Sequence, residues 1–82
     1  MVTVLKQNYK ELKLGTNQIT EIGDKLGNLT KLTVLELHEN RLKSLPSSIG
    51  NCQCLVSVFL QKNSLESIPF EIGLKSVLLI EK

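Results

Sequence analysis

The 82-residue chain is poor in aromatic residues and in cysteine, with no Trp, one Tyr, two Phe and two Cys. So few aromatic rings leave little material for stacking bases. Its ten Lys and Arg are spread without a dense run, so we expect no nucleic-acid binding. Two cysteines make no disulfide framework, and the Cys52–Cys54 pair without a nearby His supplies at most half a zinc site. We therefore expect structural thiols and no metal or other cofactor.

Long apolar runs are also lacking. The longest, Val-Leu-Leu-Ile at 77–80, is far too short to span a bilayer. The N-terminal residues do not show the charged start, apolar stretch and cleavage site of a signal peptide. We therefore expect a cytoplasmic protein that does not associate with membranes. With 41% hydrophobic and 22% charged residues, the composition is ordinary for a single globular domain.

What the chain does contain is an internal repeat. Asn17, Asn40 and Asn63 are spaced by 23 residues, and aligning on them divides the chain into units 9–31, 32–54 and 55–77. Apolar residues recur at six positions of the unit and Gly at a seventh. Residues 1–8 form an N-terminal flank. After Gly73 the frame is one residue short, so we expect a truncated fourth unit that runs to residue 82.

The second unit shows the pattern most clearly, as Leu-x-x-Leu-x-Leu-x-x-Asn-x-Leu-x-x-Leu-Pro-x-x-Ile-Gly over residues 32–50. This run resembles the leucine-rich repeat family. The resemblance implies an α/β solenoid with short parallel strands on its concave face and an irregular, 3₁₀ or short helical convex side. The Leu-Pro-x-x-Ile-Gly ending is similar to that of intracellular Ras-pathway scaffold proteins and plant Ras-group repeat proteins. That similarity implies a protein partner such as a small GTPase or a phosphatase.

The alternation of apolar and polar residues at the start of each unit predicts the strands directly. We expect strands at 11–14, 34–37 and 57–60, paired in parallel because one unit alone cannot bury its apolar side. The three Asn are expected to form a buried ladder that satisfies backbone groups where the chain leaves the sheet. The Gly of each Ile-Gly pair is expected to accept a positive φ.

Side chains at positions 3, 5, 7 and 8 of the unit are expected to point out from the concave face, because side chains alternate across a strand. Phe59 stands out there, since the other units have Lys13 and Glu36 at its position. An aromatic residue among polar ones is typical of a binding hot spot, although single exposed Phe residues are common. Position 3 is expected to continue to Leu79 and position 5 to Glu81. The predicted partner contacts are Glu11, Lys13, Val34, Glu36, His38, Glu39, Arg41, Phe59, Gln61 and Lys62.

We expect no catalytic site. His38, the single His, would lie on the concave side, whereas Cys52 would lie towards the convex side, so no Cys–His pair forms. The glycines follow the repeat instead of forming a phosphate loop. Glu36, His38 and Glu39 on an open surface are a weak indication of a metal site. The triplet at 28–30 matches the glycosylation pattern, but this is also what that part of the repeat looks like.

Two functions therefore remain from the sequence. The first is a protein-interaction module, in intracellular signalling, that binds through its concave face. The second is a self-associating structural fragment of a longer repeat protein. It is favoured by the lack of polar caps and by residues 77–80, which would form an apolar edge strand.

Overall fold

The computed structural model describes residues 10–74 and 79–81. In this part the chain forms four strands of three residues, β1 (Glu11–Lys13), β2 (Val34–Glu36), β3 (Ser57–Phe59) and β4 (Leu79–Glu81). They form one parallel sheet whose order follows the chain, β1-β2-β3-β4. The expected flank at 1–8, Tyr9 at the start of the first unit, and residues 77 and 78 of the apolar run lie outside the described residues.

The expected strands are each one residue too long at their C-terminal end. The hydrogen bonding nevertheless continues one step beyond the strands. The Leu14 N–H donates to the Glu36 carbonyl at 2.8 Å, and the Leu37 N–H donates to the Phe59 carbonyl at 2.8 Å. The strand ends early because the next residues turn away from the sheet.

The register of the sheet follows the repeat. Glu11 pairs with Val34, and Val34 pairs with Ser57, so each strand lies one full unit from the last. Ser57 pairs with Leu79, and Phe59 with Glu81, which is one residue fewer than a full unit. This is the register that the shortened frame after Gly73 predicts.

Three 3₁₀ helices form the opposite side of the molecule, at Asp24–Asn28, Ser47–Asn51 and Phe70–Leu74. The second begins after Pro46, whose backbone is extended at φ −70° and ψ 144°. The Ile49 N–H donates to the Pro46 carbonyl at 3.1 Å, which is the three-residue bond that winds this helix type. Strands on one face and 3₁₀ helices on the other confirm the expected α/β solenoid.

The expectation that the Gly of an Ile-Gly pair takes a positive φ is wrong for Gly50, and Gly27, which follows Leu26 at the same position of the first unit, has no positive φ either. Among the described glycines only Gly23 has one, at 90°. Gly27 and Gly50 lie instead where successive 3₁₀ helices touch. A Cβ on Gly27 would come within 2.8 Å of the Ser48 Cβ, and one on Gly50 within 2.9 Å of the Glu71 Cβ. These glycines therefore allow the helices to stack closely.

The core lies between the sheet and the 3₁₀ helices and consists of the repeated apolar positions. Leu14, Ile19, Leu65 and Ile68 are partly buried against it. Because each unit buries its apolar residues against the next, the core is continuous along the stack. Its buried members are Leu12, Ile22, Leu26, Leu29, Leu32, Leu35, Leu37, Leu42, Leu45, Ile49, Cys52, Leu55, Val58, Leu60 and Ile72.

The two cysteines have different environments. Cys52 replaces the Leu of the preceding unit and is buried, and its thiol donates to the Leu26 carbonyl at 3.4 Å. It is therefore the structural thiol that we expected. Cys54 is exposed, so the same expectation is wrong for it.

Asn40 links two units through its side chain. Its Nδ2 donates to the Leu37 carbonyl at 2.9 Å and the His38 carbonyl at 3.2 Å in its own unit, and to the Leu14 carbonyl at 3.0 Å in the unit before. Its Oδ1 accepts from the Ile19 N–H at 3.1 Å. With 7% of its surface exposed, Asn40 is the buried polar residue on which both turns depend.

The ladder is less uniform than expected. Asn63 is half-buried and repeats the pattern, since it donates to the Leu60 carbonyl at 3.1 Å and to the Leu37 carbonyl at 2.9 Å. Asn17 is exposed, and its amide donates within its own unit, to Leu14 and Gly15. The expected buried ladder therefore holds for Asn40, in part for Asn63, and not for Asn17.

We predict that Asn40→Ala lowers the free energy of unfolding by about 1–3 kcal/mol, because buried backbone groups of two units lose their partners. Thermal or urea unfolding followed by circular dichroism measures the change. Asn17→Ala is the matched control and should cost clearly less, since Asn17 is exposed and its side-chain hydrogen bonds to Leu14 and Gly15 are local. Equal losses for the two variants would contradict the inter-unit role of Asn40.

Candidate binding surface

The sheet lines up the side chains of its outer, concave face in rows across the strands. In the position 3 row, Glu11 is exposed, whereas Val34 and Ser57 are half-buried. In the position 5 row, Lys13 is exposed, whereas Glu36 and Phe59 are half-buried. The face therefore changes from open and charged at β1 to more enclosed at β2 and β3.

An ion pair lies at the β1 end of this face. The Lys13 Nζ is 3.4 Å from the Glu11 Oε1, and both side chains are largely exposed, so the pair adds little to stability. Lys13 stands next to Glu36 in the register but pairs with Glu11. In the described part of the chain no other ion pair forms, and the Glu36 carboxylate therefore has no cationic partner there.

The next row along the face is Gly15, His38 and Gln61. A Cβ on Gly15 would overlap the imidazole ring of His38, so the ring lies directly over Gly15. The backbones are tied as well, since the Glu39 N–H donates to the Gln61 carbonyl at 2.8 Å. The His38 ring occupies the space that a side chain at residue 15 would need, so the ring lies towards the first unit.

A shallow cleft of about 280 Å³ lies between the second and third units. It is lined by Glu36, His38, Phe59 and Gln61. The Gln61 Oε1 is buried, and no donor among the described residues bonds to it. We attribute the cleft to His38: because its ring leans over Gly15, it does not fill the space beside Phe59. Four of the ten predicted contact residues come together here.

The remaining predicted contacts lie outside the cleft. Glu39 and Lys62 are exposed at position 8, with φ of 56° and 60°, and Thr16 in the first unit has φ 59°. Arg41 is exposed next to Asn40. The sequence does not predict the left-handed backbone at position 8, because Thr, Glu and Lys are not residue types that favour this conformation. The Asn at position 9 imposes it through its bonds to the surrounding carbonyls.

The comparisons with known proteins agree with this geometry. The family model described as leucine rich repeat matches residues 7–68. The chain belongs to the leucine-rich repeat family. Leucine-rich-repeat domains are generally protein-interaction modules, so a protein partner is the expected ligand of this domain in general. Among curated proteins, no match to the chain was found.

Two further features of the described residues concern metal binding and membrane crossing. Within residues 10–74 and 79–81, no three His, Cys, Asp or Glu residues form a group that could hold a metal ion. Over the same ranges, no helix has the length and apolar character needed to cross a membrane. The features of the concave face are thus a half-buried aromatic ring, an unpaired carboxylate and an unsatisfied amide oxygen, which suit recognition of another molecule's side chains.

We predict that Thr16→Asn raises the free energy of unfolding by about 1 kcal/mol, because a β-branched residue is strained at φ 59° and Asn tolerates this region. For a domain of this size, that is a rise of about 4–8 °C in the thermal midpoint. Thr20→Asn is the matched control, since Thr20 is also exposed and its φ is not positive. A gain of the same size in both variants would contradict the explanation from strain.

Proposed function

We propose that this domain binds a partner protein through its concave strand face, with the cleft lined by Glu36, His38, Phe59 and Gln61 as the centre of the contact. The observation that carries the proposal is the cleft itself, which lies on the face that the repeat leaves open for recognition. Membership of the leucine-rich repeat family supports a protein as the ligand.

Phe59 is the proposed anchor of the contact. Phe59 lines the cleft and is half-buried, and it lies outside the set of side chains that form the core. A ring that is already partly held loses less conformational entropy when a partner covers it. Aromatic residues surrounded by polar ones are also the usual composition of a hot spot.

Around the cleft, the exposed residues Glu11, Lys13, Glu39, Arg41 and Lys62 form the proposed rim. They carry both charge signs. Charges at a rim contribute more to the rate of encounter and to the choice of partner than to affinity. We therefore propose that these charged residues, together with Val34 beside Glu11, fix the orientation of the partner.

We further propose that the domain acts in intracellular signalling in the cytoplasm, with a small GTPase or a phosphatase as partner class. The support is the Leu-Pro-x-x-Ile-Gly ending of residues 45–50, which is similar to that of intracellular Ras-pathway scaffold proteins.

We predict that Phe59→Ala weakens binding of the partner by at least about tenfold, because the contact loses its aromatic anchor. The immobilised domain and each variant would be used to isolate partners from a cell extract, followed by a dissociation constant for each purified partner. Phe70→Ala is the matched control: it removes the same side chain, 76% exposed, from the side of the 3₁₀ helices.

Loss of a partner with Phe59→Ala and retention with Phe70→Ala is the expected outcome. A partner whose affinity is unchanged by Phe59→Ala but lowered by Phe70→Ala would place the contact on the helical side and contradict the proposal. Thermal unfolding of both variants checks that the fold is intact, which we expect because neither ring belongs to the core.

Self-association is the second candidate function, and the edge of the sheet favours it. Within the described residues, β4 pairs only with β3, which leaves the backbone groups of its other edge open to another chain. Self-association predicts a molar mass by light scattering that rises with concentration. A constant monomer mass over the whole range would contradict this candidate and leave partner binding on the concave face.

A further inference from the structure

We propose that the cleft between the second and third units receives the guanidinium group of an arginine side chain on the partner protein. The inference rests on the proposed function and specifies the chemistry of the partner. Each of three lining residues, Glu36, Phe59 and Gln61, has a feature that an arginine satisfies.

The first feature is the charge of Glu36. The Glu36 side chain is half-buried, and no cation of the described chain pairs with it, since neighbouring Lys13 pairs with Glu11. A partly desolvated carboxylate is stabilised by a cation that donates hydrogen bonds, and such bonds are roughly twice as strong as neutral ones. The occupant of the cleft should therefore carry a positive charge.

The second feature is the ring of Phe59 directly beside Glu36. Glu36 on β2 and Phe59 on β3 are partners in the sheet register, and adjacent strands are about 4.8 Å apart. A cation that binds the carboxylate is thus within reach of the ring, where it gains a cation–π contact. The apolar stem of the same side chain can cover the remaining ring surface.

The third feature is the amide oxygen of Gln61, which is buried without a donor. A buried acceptor that lacks a hydrogen bond destabilises the unliganded structure. The last torsion of a Gln side chain is broad, so the amide turns at low cost towards a donor placed in the cleft. The occupant should therefore bring at least one N–H beyond those used by Glu36.

Arginine meets these requirements better than lysine. Its planar group offers five N–H donors in a fixed fork, stacks on aromatic rings and is more weakly hydrated than an ammonium group. Two donors match the Glu36 carboxylate, and others remain for Gln61. At about 280 Å³, the cleft lies below the usual size of small-molecule sites, which suits one long side chain.

The probes for the test are three blocked tripeptides, acetyl-Gly-Arg-Gly-amide and its Lys and citrulline counterparts. Citrulline keeps the length and shape of arginine but has no charge. Each would be titrated into the uniformly ¹⁵N-labelled 82-residue chain and followed by amide chemical shifts. We expect saturable shifts around Glu36, Phe59 and Gln61 with a dissociation constant in the millimolar range, and at least about tenfold weaker binding of citrulline.

Glu36→Gln should weaken binding of the arginine peptide by at least about tenfold, because it removes the charge and keeps the shape. Glu66→Gln is the matched control, and it should change the affinity by less than about twofold, since Glu66 is exposed and lies outside both the cleft and its proposed rim. Phe59→Leu is a second variant that keeps an apolar side chain, and it should weaken binding of arginine through loss of the ring face.

Equal binding of the citrulline and arginine peptides, shifts centred elsewhere, or no effect of Glu36→Gln would overturn the inference. So would cleft shifts that appear on concentrating the chain alone, since a second copy would then be the occupant. The proposed function is judged separately by Phe59→Ala and the partner. If Phe59→Ala weakens partner binding but the arginine peptide does not bind, only the arginine inference is refuted. If the arginine peptide binds but Phe59→Ala leaves partner binding unchanged, only the proposed partner contact is refuted.

Discussion

The side-chain amide of Asn40 donates hydrogen bonds to carbonyls of two successive units, and its oxygen accepts one from a backbone N–H of the earlier unit. The rest of the concave face depends on these bonds. Because three carbonyls converge on one Nδ2, the chain must turn sharply immediately before the Asn. That turn puts position 8 into the left-handed region in all three units. The same constraint ends each strand after three residues and sets the direction of the polar side chains at its end.

The features that could be predicted from the sequence are those that the repeat imposes on every unit alike. The 23-residue period is enough to identify the core, the parallel pairing and the register, because a shift of one unit places the apolar positions of neighbouring units beside each other. The shortened frame placed Leu79 opposite Ser57 correctly. These features depend on burial, and burial is recorded in the pattern of apolar residues.

Features that depend on local geometry could not be read in this way. Glycine recurs at position 19 because the 3₁₀ helices approach closely at Gly27 and Gly50, and composition alone does not distinguish that cause from a positive φ. The left-handed Glu39 and Lys62 are imposed by their neighbours, and their own residue types do not favour that region. Asn17 is exposed although it has the same place in the period as the buried Asn40, and the period does not distinguish the two.

The cleft arises where the units differ. An identical residue at position 7 of every unit would give a regular ladder of side chains and no gap. Gly15 breaks the ladder, His38 leans into the space that results, and the cleft beside Phe59 follows. The repeated positions form the core, whereas the positions that line the cleft differ between units. Glu36, His38, Phe59 and Gln61 are all of this second kind, and none of them is needed to form the core. The chemistry of this face can therefore change without loss of the fold, as a domain for recognition requires.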